Sequence, residues 1–192
     1  MSRLRDSRLG TVLVLAVTTV AILVGVWLVQ GGWKDADGAT SAVDLTGDVA
    51  AAAPAVGAVA PDFAATATDG AAIRLSALQG KPVWLVFGAT WCSNCRAEAA
   101  DIEAVHQAFG DQVTVVTVYV GETAATVTDY AARLGLTSAQ IADESTALGS
   151  LYRVLGIPTH YFIAADGTVA AIRVGGLSQQ AATDELNDLV AG

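Results

Sequence analysis

Two stretches of the chain are almost continuously β-branched or aromatic. Residues 82–87 read Pro-Val-Trp-Leu-Val-Phe, and residues 113–120 read Val-Thr-Val-Val-Thr-Val-Tyr-Val. A strand with one face in water alternates apolar and polar residues, whereas a strand that is covered on both faces does not. The two runs therefore predict strands at the centre of a sheet that carries other elements on both faces.

The segments around these strands predict a three-layer α/β/α domain with a mixed central sheet and an N-terminal hairpin. The pattern predicts helices at about residues 92–109, 124–134, 146–152 and 179–190. It also predicts one hairpin from strands at residues 63–66 and 72–75, with a single helical turn at 75–78, and a second hairpin from strands at 159–164 and 169–174. Strand, helix, strand and helix come before the second hairpin and the last helix, and this order favours α/β layers.

The N-terminal 33 residues contain a long apolar run. Residues 9–33 carry no charge, which meets the length of about 20 apolar residues that a bilayer requires. Arg3, Arg5 and Arg8 precede the run, and this bias favours a cytoplasmic N-terminus. We therefore expect residues 1–33 to be a cytoplasmic N-terminus and a transmembrane signal anchor, with the rest of the chain on the extracytoplasmic side of the cell membrane. A cleaved signal peptide is the alternative, although its apolar core is usually about 7–15 residues long.

The segment after the apolar run is rich in Ala, Gly and Asp. Residues 34–59 lack any sustained helical or strand period, so they are expected to form a flexible linker. Residues 60–192 then form the domain, which is long enough to bury a core. The formal net charge of −9 excludes a basic nucleic-acid surface, so no nucleic-acid partner is expected.

The chain has two cysteines, Cys92 and Cys95, which is too few for a disulfide scaffold or a four-thiolate zinc site. Cys92 follows a predicted buried strand and begins a predicted helix, where unpaired amides and the helix dipole stabilise a thiolate. Cys95 lies one helical turn further on the same face, so its thiol can attack a mixed disulfide formed at Cys92. This predicts dithiol exchange, with a static structural disulfide or a metal site as the alternatives. His106 is expected to be an exposed helix residue and His160 to have an ordinary structural role.

The helix that begins near Cys92 also carries a carboxylate on its apolar face. Ile102, Val105 and Phe109 follow the spacing i, i+3, i+7 that defines a buried stripe. Four residues before Ile102 on the same stripe is Glu98, and Cys95 is three residues earlier. Burial at this position should raise the pKa of Glu98 and make it a proton acceptor for Cys95. In the alternative, Glu98 turns towards solvent or caps the early part of the helix.

Several motifs between residues 60 and 175 occur in a fixed order. They are Ala60-Pro61-Asp62-Phe63, Leu75-Ser76-x-Leu78-x-Gly80-Lys81-Pro82, Ala89-Thr90-Trp91-Cys92-x-x-Cys95-Arg96-x-Glu98, Val120-Gly121-Glu122 and Gly156-Ile157-Pro158-Thr159. In this order they resemble the membrane-tethered thioredoxin-like proteins of the TlpA/ResA type. These proteins act in disulfide reduction and cytochrome c maturation outside the cytoplasm.

The resemblance implies a thioredoxin-like fold with Cys92 as the attacking thiol, Cys95 as the resolving thiol and Glu98 as the acidic residue of the active site. It further implies a cis peptide bond before Pro158 that packs against the thiols. The residues expected to line or support the substrate groove are Trp91, Ile157, Pro158, Thr159 and Glu122. The implied partners are a disulfide-containing client protein and a membrane electron donor. No metal or cofactor is expected beyond the redox-active Cys92–Cys95 disulfide.

The chain departs from the family pattern at three places near the thiols. Ser93-Asn94 lacks the proline that is common between the thiols, Gly88 stands where an aromatic residue often shields the site, and Ala99-Ala100 replaces a proline-containing continuation of the helix. In addition, Val86 occupies the strand position of the buried aspartate in cytoplasmic thioredoxins. Proton transfer would then fall to Glu98. We expect a thiol–disulfide oxidoreductase that acts as a disulfide reductase. A peroxiredoxin-like peroxidase is one alternative, although Ala89 stands three residues before Cys92 where a Thr or Ser is usual; a redox-linked binding module or metallochaperone is the other.

Overall fold

The computed structural model describes residues 3–31 and 53–191, which belong to two compact units that divide between residues 39 and 40. The first unit contains one helix, α1 (Arg3–Gly31). Among the described residues, no helix has both the length and the apolar content that a membrane crossing requires. The predicted anchor extends beyond residues 12–26, the part of α1 whose side chains are described, and most of the predicted linker lies outside the described residues.

The second unit consists of an N-terminal hairpin, a five-stranded sheet and flanking helices. In chain order its elements are β1 (Ala64–Thr66), β2 (Ala72–Arg74), a 3-10 turn (Leu75–Leu78), β3 (Val83–Gly88), α2 (Ser93–Phe109), a second 3-10 turn (Gly110–Gln112), β4 (Thr114–Val120), α3 (Ala124–Leu134), β5 (Ala139–Asp143), α4 (Ala147–Leu151), β6 (Thr159–Ile163), β7 (Val169–Val174) and α5 (Gln179–Ala191). The four predicted helices of the domain are confirmed to within one residue at each end.

The sheet has the strand order β5-β4-β3-β6-β7. Strands β3, β4 and β5 run parallel, whereas β6 and β7 run antiparallel to their neighbours, so the sheet is mixed as predicted. Every residue of β3 is buried, which confirms that this strand is covered on both faces. In the register of the sheet Phe87 lies beside Val118 and Thr159. The C-terminal ends of β3 and β4 and the start of β6 therefore meet at one edge of the sheet.

The two faces of the sheet carry separate cores. Trp84 and Val86 of β3 pack with Ile102 of α2 and Leu186 of α5, and Tyr119 on the same face packs with α3. Leu85 and Phe87 point to the opposite face and pack with α4 and the N-terminal hairpin. Since burying one such side chain contributes about 1.5–3 kcal/mol, these cores hold the sheet edge and its loops in place.

Strand β5 was not predicted. Its sequence, Ala-Gln-Ile-Ala-Asp, contains a single β-branched residue, so its local preference for a strand is weak. Pairing with β4 stabilises it, and the Tyr119 hydroxyl donates a hydrogen bond of 2.7 Å to the Gln140 side-chain oxygen across the two strands. Long-range pairing outweighs local propensity here.

Candidate active site

Cys92 lies at the junction between a buried strand and a helix. Strand β3 ends at Gly88, α2 begins at Ser93, and Cys92 is the N-cap with an extended backbone. Its Sγ accepts a hydrogen bond of 3.3 Å from the Cys95 backbone N–H, and the two cysteines form a disulfide. The amides of the first helical turn can therefore stabilise negative charge on this sulfur after reduction.

The loop before β6 lies against the disulfide. The Ile157–Pro158 peptide bond is cis, as the resemblance implies. The Ile157 carbonyl oxygen lies 3.9 Å from the Cys92 Sγ, and the Ile157 side chain packs against the buried cluster that contains both cysteines. The Thr159 hydroxyl donates a 2.6 Å hydrogen bond to the Gly156 carbonyl, which closes the loop. Pro158 and its neighbours therefore shape one wall of the site.

Glu122 supports the loop that leads to Cys92. It follows β4 after the turn at Gly121, and it is buried. Its carboxylate accepts hydrogen bonds from the Thr90 backbone N–H, at 2.7 Å, and from the Thr90 hydroxyl. The parallel pairing of β3 with β4 brings the two loops together. The structure places Glu122 beneath the active-site loop, where it acts as a support.

Glu98 lies on the inner face of α2, as the helical spacing predicted, and only 4% of its side chain is exposed. Its Oε2 accepts a hydrogen bond of 2.9 Å from the Leu177 backbone N–H, whereas Oε1 is buried and has no hydrogen-bond partner among the described residues. Burial raises the pKa of Glu98 to about 7; the Leu177 N–H opposes this shift and the charge of Asp101 adds to it. Glu98 therefore changes protonation state near neutral pH.

The carboxyl group of Glu98 lies between two spaces. Inside the domain, Glu98 and Cys95 line one cavity of about 20 Å³ between α2 and the sheet, and Val86 lines its strand side. This volume is enough for about one water molecule. Outside, Glu98 lines an open groove of about 440 Å³ together with Asn94 and Asp101. The arrangement can move a proton between the resolving thiol and solvent through one carboxyl group.

His160 is a neighbour of this carboxyl group that the sequence analysis did not assign to the site. Its ring is fully buried, stacks on Trp84 with ring centroids 5.9 Å apart, and places Nε2 3.6 Å from the Glu98 Oε2. Nε2 also lies 3.2 Å from the Gly175 carbonyl oxygen. Burial lowers the pKa of His160 to about 4, against the effect of the Gly175 hydrogen bond, so the ring is neutral at neutral pH. The sequence feature that could have indicated His160 is its position two residues after Pro158, in the segment that forms β6 next to β3.

Comparison with known proteins identifies the family. The model of the AhpC/TSA family matches residues 56–172. The thiol-disulfide oxidoreductase ResA of Geobacillus kaustophilus is 35% identical, over 67% of this chain and 74% of its own length. The chain belongs to the ResA-like thiol–disulfide oxidoreductases. Enzymes of this kind act on disulfide-containing client proteins, and the Cys92–Cys95 pair is the redox centre that the family predicts.

Solved structures share the fold of this ResA-like domain. A thiol:disulfide interchange protein of the thioredoxin family from Chlorobium tepidum superposes with a TM-score of 0.64 at 26% identity, over 73% of this chain and 99% of its own. The exposed lipoprotein thioredoxin Etrx1 from Streptococcus pneumoniae gives a TM-score of 0.61 at 31% identity, over 67% of this chain and 99% of its own. The thioredoxin-like α/β fold is thus confirmed.

Two exposed apolar side chains flank the ResA-like site. Trp91 is 71% exposed beside Cys92, and Leu155 is 99% exposed two residues before Ile157. Leu155 was not predicted as a site residue, although an apolar residue just before the Gly156-Ile157-Pro158 motif could have indicated it. These side chains offer a client polypeptide apolar contacts around an otherwise buried disulfide.

Because residue 88 is glycine, it has no side chain to cover the inner side of Cys95. A Cβ atom there would lie 3.4 Å from both Cβ and Sγ of Cys95. An aromatic side chain at position 88, which is often found in the family, would therefore have to pack directly around Cys95. Of the residues that the structure describes, no three His, Cys, Asp or Glu side chains cluster so that they could hold a metal ion.

Proposed function

We propose that this ResA-like oxidoreductase reduces protein disulfides on the extracytoplasmic side of the membrane. The observation that supports the direction of electron flow is the limited stabilisation of the Cys92 sulfur, which accepts a hydrogen bond from one backbone N–H, that of Cys95. Neither Ser93 nor Asn94 can carry a positive charge, and the Ile157 carbonyl oxygen lies 3.9 Å away, where it disfavours a thiolate. A strongly oxidising couple needs a highly stabilised thiolate.

The reaction transfers two electrons from the enzyme dithiol to the client disulfide. The Cys92 thiolate attacks one client sulfur, so the client S–S bond breaks and an enzyme–client disulfide forms. Glu98 accepts the proton of Cys95, whose thiolate then attacks the Cys92 sulfur and releases the client. The client leaves as a dithiol after gaining two protons, one of which Glu98 can return, and the enzyme ends as the Cys92–Cys95 disulfide.

The reduction potential tests this direction. We expect equilibration of the full chain with a glutathione buffer to give a potential more reducing than about −200 mV, on the thioredoxin side of the known range. The reduced protein should also reduce a model disulfide protein, and Cys92→Ala should abolish this activity. A potential near about −120 mV, together with rapid oxidation of a reduced unfolded protein, would make the enzyme an oxidase.

The proposed location rests on the sequence of the N-terminal segment. Residues 9–33 are uncharged and follow three arginines, which supports a signal anchor with the domain outside the cytoplasm. Etrx1, the similar pneumococcal protein, is described as an exposed lipoprotein. A reporter fused after the last residue should be active only outside the cytoplasm, and the protein should resist a carbonate wash of the membranes. Release of a processed form that begins after about residue 38 would contradict the anchor.

A reductase in an oxidising compartment needs electrons from elsewhere, so we also propose a membrane electron donor. The donor would return two electrons to the Cys92–Cys95 disulfide by the same exchange chemistry in reverse. Cytochrome c maturation is the process that the family resemblance favours. Deletion of the gene should then lower the amount of c-type cytochrome with covalently bound haem, and the Cys92→Ala protein should fail to restore it.

A peroxidase is the second candidate, because the matching family model is that of AhpC/TSA. Ala89, three residues before Cys92, is buried and provides a methyl group where a hydroxyl is usual in that chemistry. We therefore expect negligible consumption of hydrogen peroxide by the reduced protein. Rapid, catalytic consumption that depends on Cys92 would favour the peroxidase.

A further inference from the structure

We propose that His160 is a positioning residue: it holds the loop whose N–H binds one carboxyl oxygen of Glu98, and it thereby determines which oxygen carries the exchangeable proton. The inference rests on the proposed dithiol exchange, in which Cys95 must lose a proton to Glu98. It adds a residue to that step, because the exchange as described above uses no histidine.

The sheet register directs His160 towards Glu98. His160 lies on β6 directly beside Val86 of β3, so its side chain points to the face of the sheet that α2 covers. The ring is fully buried and stacks on Trp84 at an interplanar angle of 29°. Packing thus holds the imidazole plane, and the Nε2 edge faces the carboxyl group.

The Gly175 carbonyl determines the tautomer of His160. Nε2 lies 3.2 Å from this oxygen, and a carbonyl oxygen can only accept a hydrogen bond. Nε2 therefore carries the hydrogen. Since the ring is neutral, Nδ1 is unprotonated, and it has no hydrogen-bond partner within the described part of the chain.

The hydrogen bond to Glu98 comes from the loop that His160 holds. The Leu177 N–H donates to Oε2 at 2.9 Å, whereas the Nε2–H of His160 is directed at the Gly175 carbonyl and its nitrogen lies 3.6 Å from Oε2, beyond hydrogen-bond distance. A proton on Oε2 would point at the Leu177 donor, whereas a proton on Oε1 would not. The neutral form of Glu98 is therefore protonated on Oε1, the buried oxygen without a described partner.

His160 holds the loop that provides this donor. The Gly175 N–H donates to the Pro158 carbonyl at 2.8 Å, while its carbonyl accepts from His160, and its positive φ of 95° favours glycine. Leu177 follows two residues later. Loss of the His160 N–H would therefore release the loop and weaken the hydrogen bond from the Leu177 N–H to Oε2.

The charged groups around the pair are few. On α2, Cys95 and Asp101 are the titratable neighbours, and Asp101 accepts a hydrogen bond from the Gln179 N–H at 3.3 Å. On β7, Arg173 stands beside His160 but pairs with Glu185 of α5. The phenols that line the internal cavity are Tyr119 and Tyr130, and burial raises the pKa of both.

The experiment compares two substitutions of His160 in the full chain. His160→Phe keeps a stacked ring but removes the N–H, and His160→Gln keeps an N–H near the position of Nε2. The titration of Glu98 is followed by NMR of its side-chain carboxyl carbon in the oxidised protein, and the reactivity of Cys95 is followed against pH in the reduced protein. We expect His160→Phe to move both midpoints upwards by about one pH unit, because the loop is released and the Glu98 carboxylate loses the well-aligned hydrogen bond from the Leu177 N–H. His160→Gln should restore most of the shift.

Glu103→Gln is the matched control. Glu103 is a buried carboxylate on the same helix, but it binds the 137–138 backbone instead of the site, so its loss should reduce stability without moving either midpoint. The proposal is wrong if His160→Phe leaves the Glu98 titration unchanged, or if His160→Gln shifts it as far as His160→Phe does. If His160→Phe does not fold, His160→Asn, whose shorter amide cannot reach the Nε2 position, replaces it. The Glu98 titration needs no client, so an error in the proposed direction of electron flow would not affect it.

Discussion

Substitution of Glu98 by Gln should make the domain more stable at high pH and nearly unchanged at low pH. Gln keeps an acceptor for the Leu177 N–H and almost the same volume, but it cannot ionise. The wild-type carboxyl group must become a buried anion once the pH exceeds its pKa. The substitution therefore removes one specific cost, which is the desolvation of that charge.

The magnitude follows from the pKa of Glu98, which burial raises from 4.5 to about 7. Between these values the native protein keeps a proton that the unfolded chain has lost. The stability that this group contributes is thus fully present below pH 4.5 and is lost as the pH rises through about 7. At 1.36 kcal/mol per unit, the difference in unfolding free energy between Glu98→Gln and wild type should grow by about 3 kcal/mol.

Urea unfolding of the two oxidised proteins, at about pH 4.5 and about pH 8.5, measures this difference. The oxidised state removes both thiols from the titration. His160 affects stability in the opposite direction. Burial lowers its pKa from 6.5 to about 4, so its stabilising contribution is present above pH 6.5 and is lost as the pH falls through about 4. It cancels in the comparison because both proteins contain His160.

Glu103→Gln is again the matched control, since its pKa shift has the other direction. Burial would raise the pKa of Glu103, but hydrogen bonds from Thr137, Gln107 and Ser138 outweigh it and lower the pKa. This carboxylate stabilises the fold above its unfolded pKa, so Glu103→Gln should lose stability at high pH. A stability difference between Glu98→Gln and wild type that does not depend on pH would refute the argument.

Three further predictions concern the loop and the thiols. In the reduced protein, iodoacetamide should modify Cys92 faster than Cys95, and the Cys95→Ala variant should accumulate mixed disulfides with clients, visible on non-reducing gels. If only Cys92→Ala traps clients, the attacking and resolving roles of the two cysteines are reversed. Gly88→Ala should leave stability nearly unchanged because the added Cβ makes ordinary contacts with Cys95, whereas Gly88→Leu should cost about 1–3 kcal/mol of unfolding free energy and slow alkylation of Cys95. Equal stability of the two variants would contradict the close approach of residue 88 to Cys95. Glu122→Ala should lower the unfolding free energy by about 2 kcal/mol, because it removes the acceptor of two Thr90 hydrogen bonds, and Glu122→Gln should lie closer to wild type in thermal unfolding. No loss of stability in Glu122→Ala would show that this contact does not support the loop.

Elements with strong local patterns were predictable from the sequence. Residues 114–120 are β-branched or aromatic throughout and form β4. The stripe of Ile102, Val105 and Phe109 also predicted that Glu98 would be buried, because a helix repeats its faces regardless of what packs on them. Position on a regular helix is local information, so the relation between Glu98 and Cys95 could be predicted.

Contacts between different elements were not predictable in the same way. The bond from Thr90 to Glu122 depends on the parallel register of β3 and β4, and the approach of His160 to Glu98 depends on the antiparallel register of β3 and β6. A shift of one residue in either register would send the side chain to the other face. The identity of these residues does not determine the register, which is set by the packing of the whole sheet.

The proposed proton acceptor lies on a helix and not on the central strand. Val86 contributes only apolar surface to the internal cavity, and the carboxyl group that lines this cavity together with Cys95 is that of Glu98. A carboxylate on the central strand would be enclosed by both layers, whereas Glu98 on α2 also lines the outer groove beside Asp101. Glu98 therefore lies at the boundary between the core and this open groove. Because its pKa is about 7, the protonation of this group, and with it the resolving step at Cys95, should respond to the pH of the compartment that contains the domain.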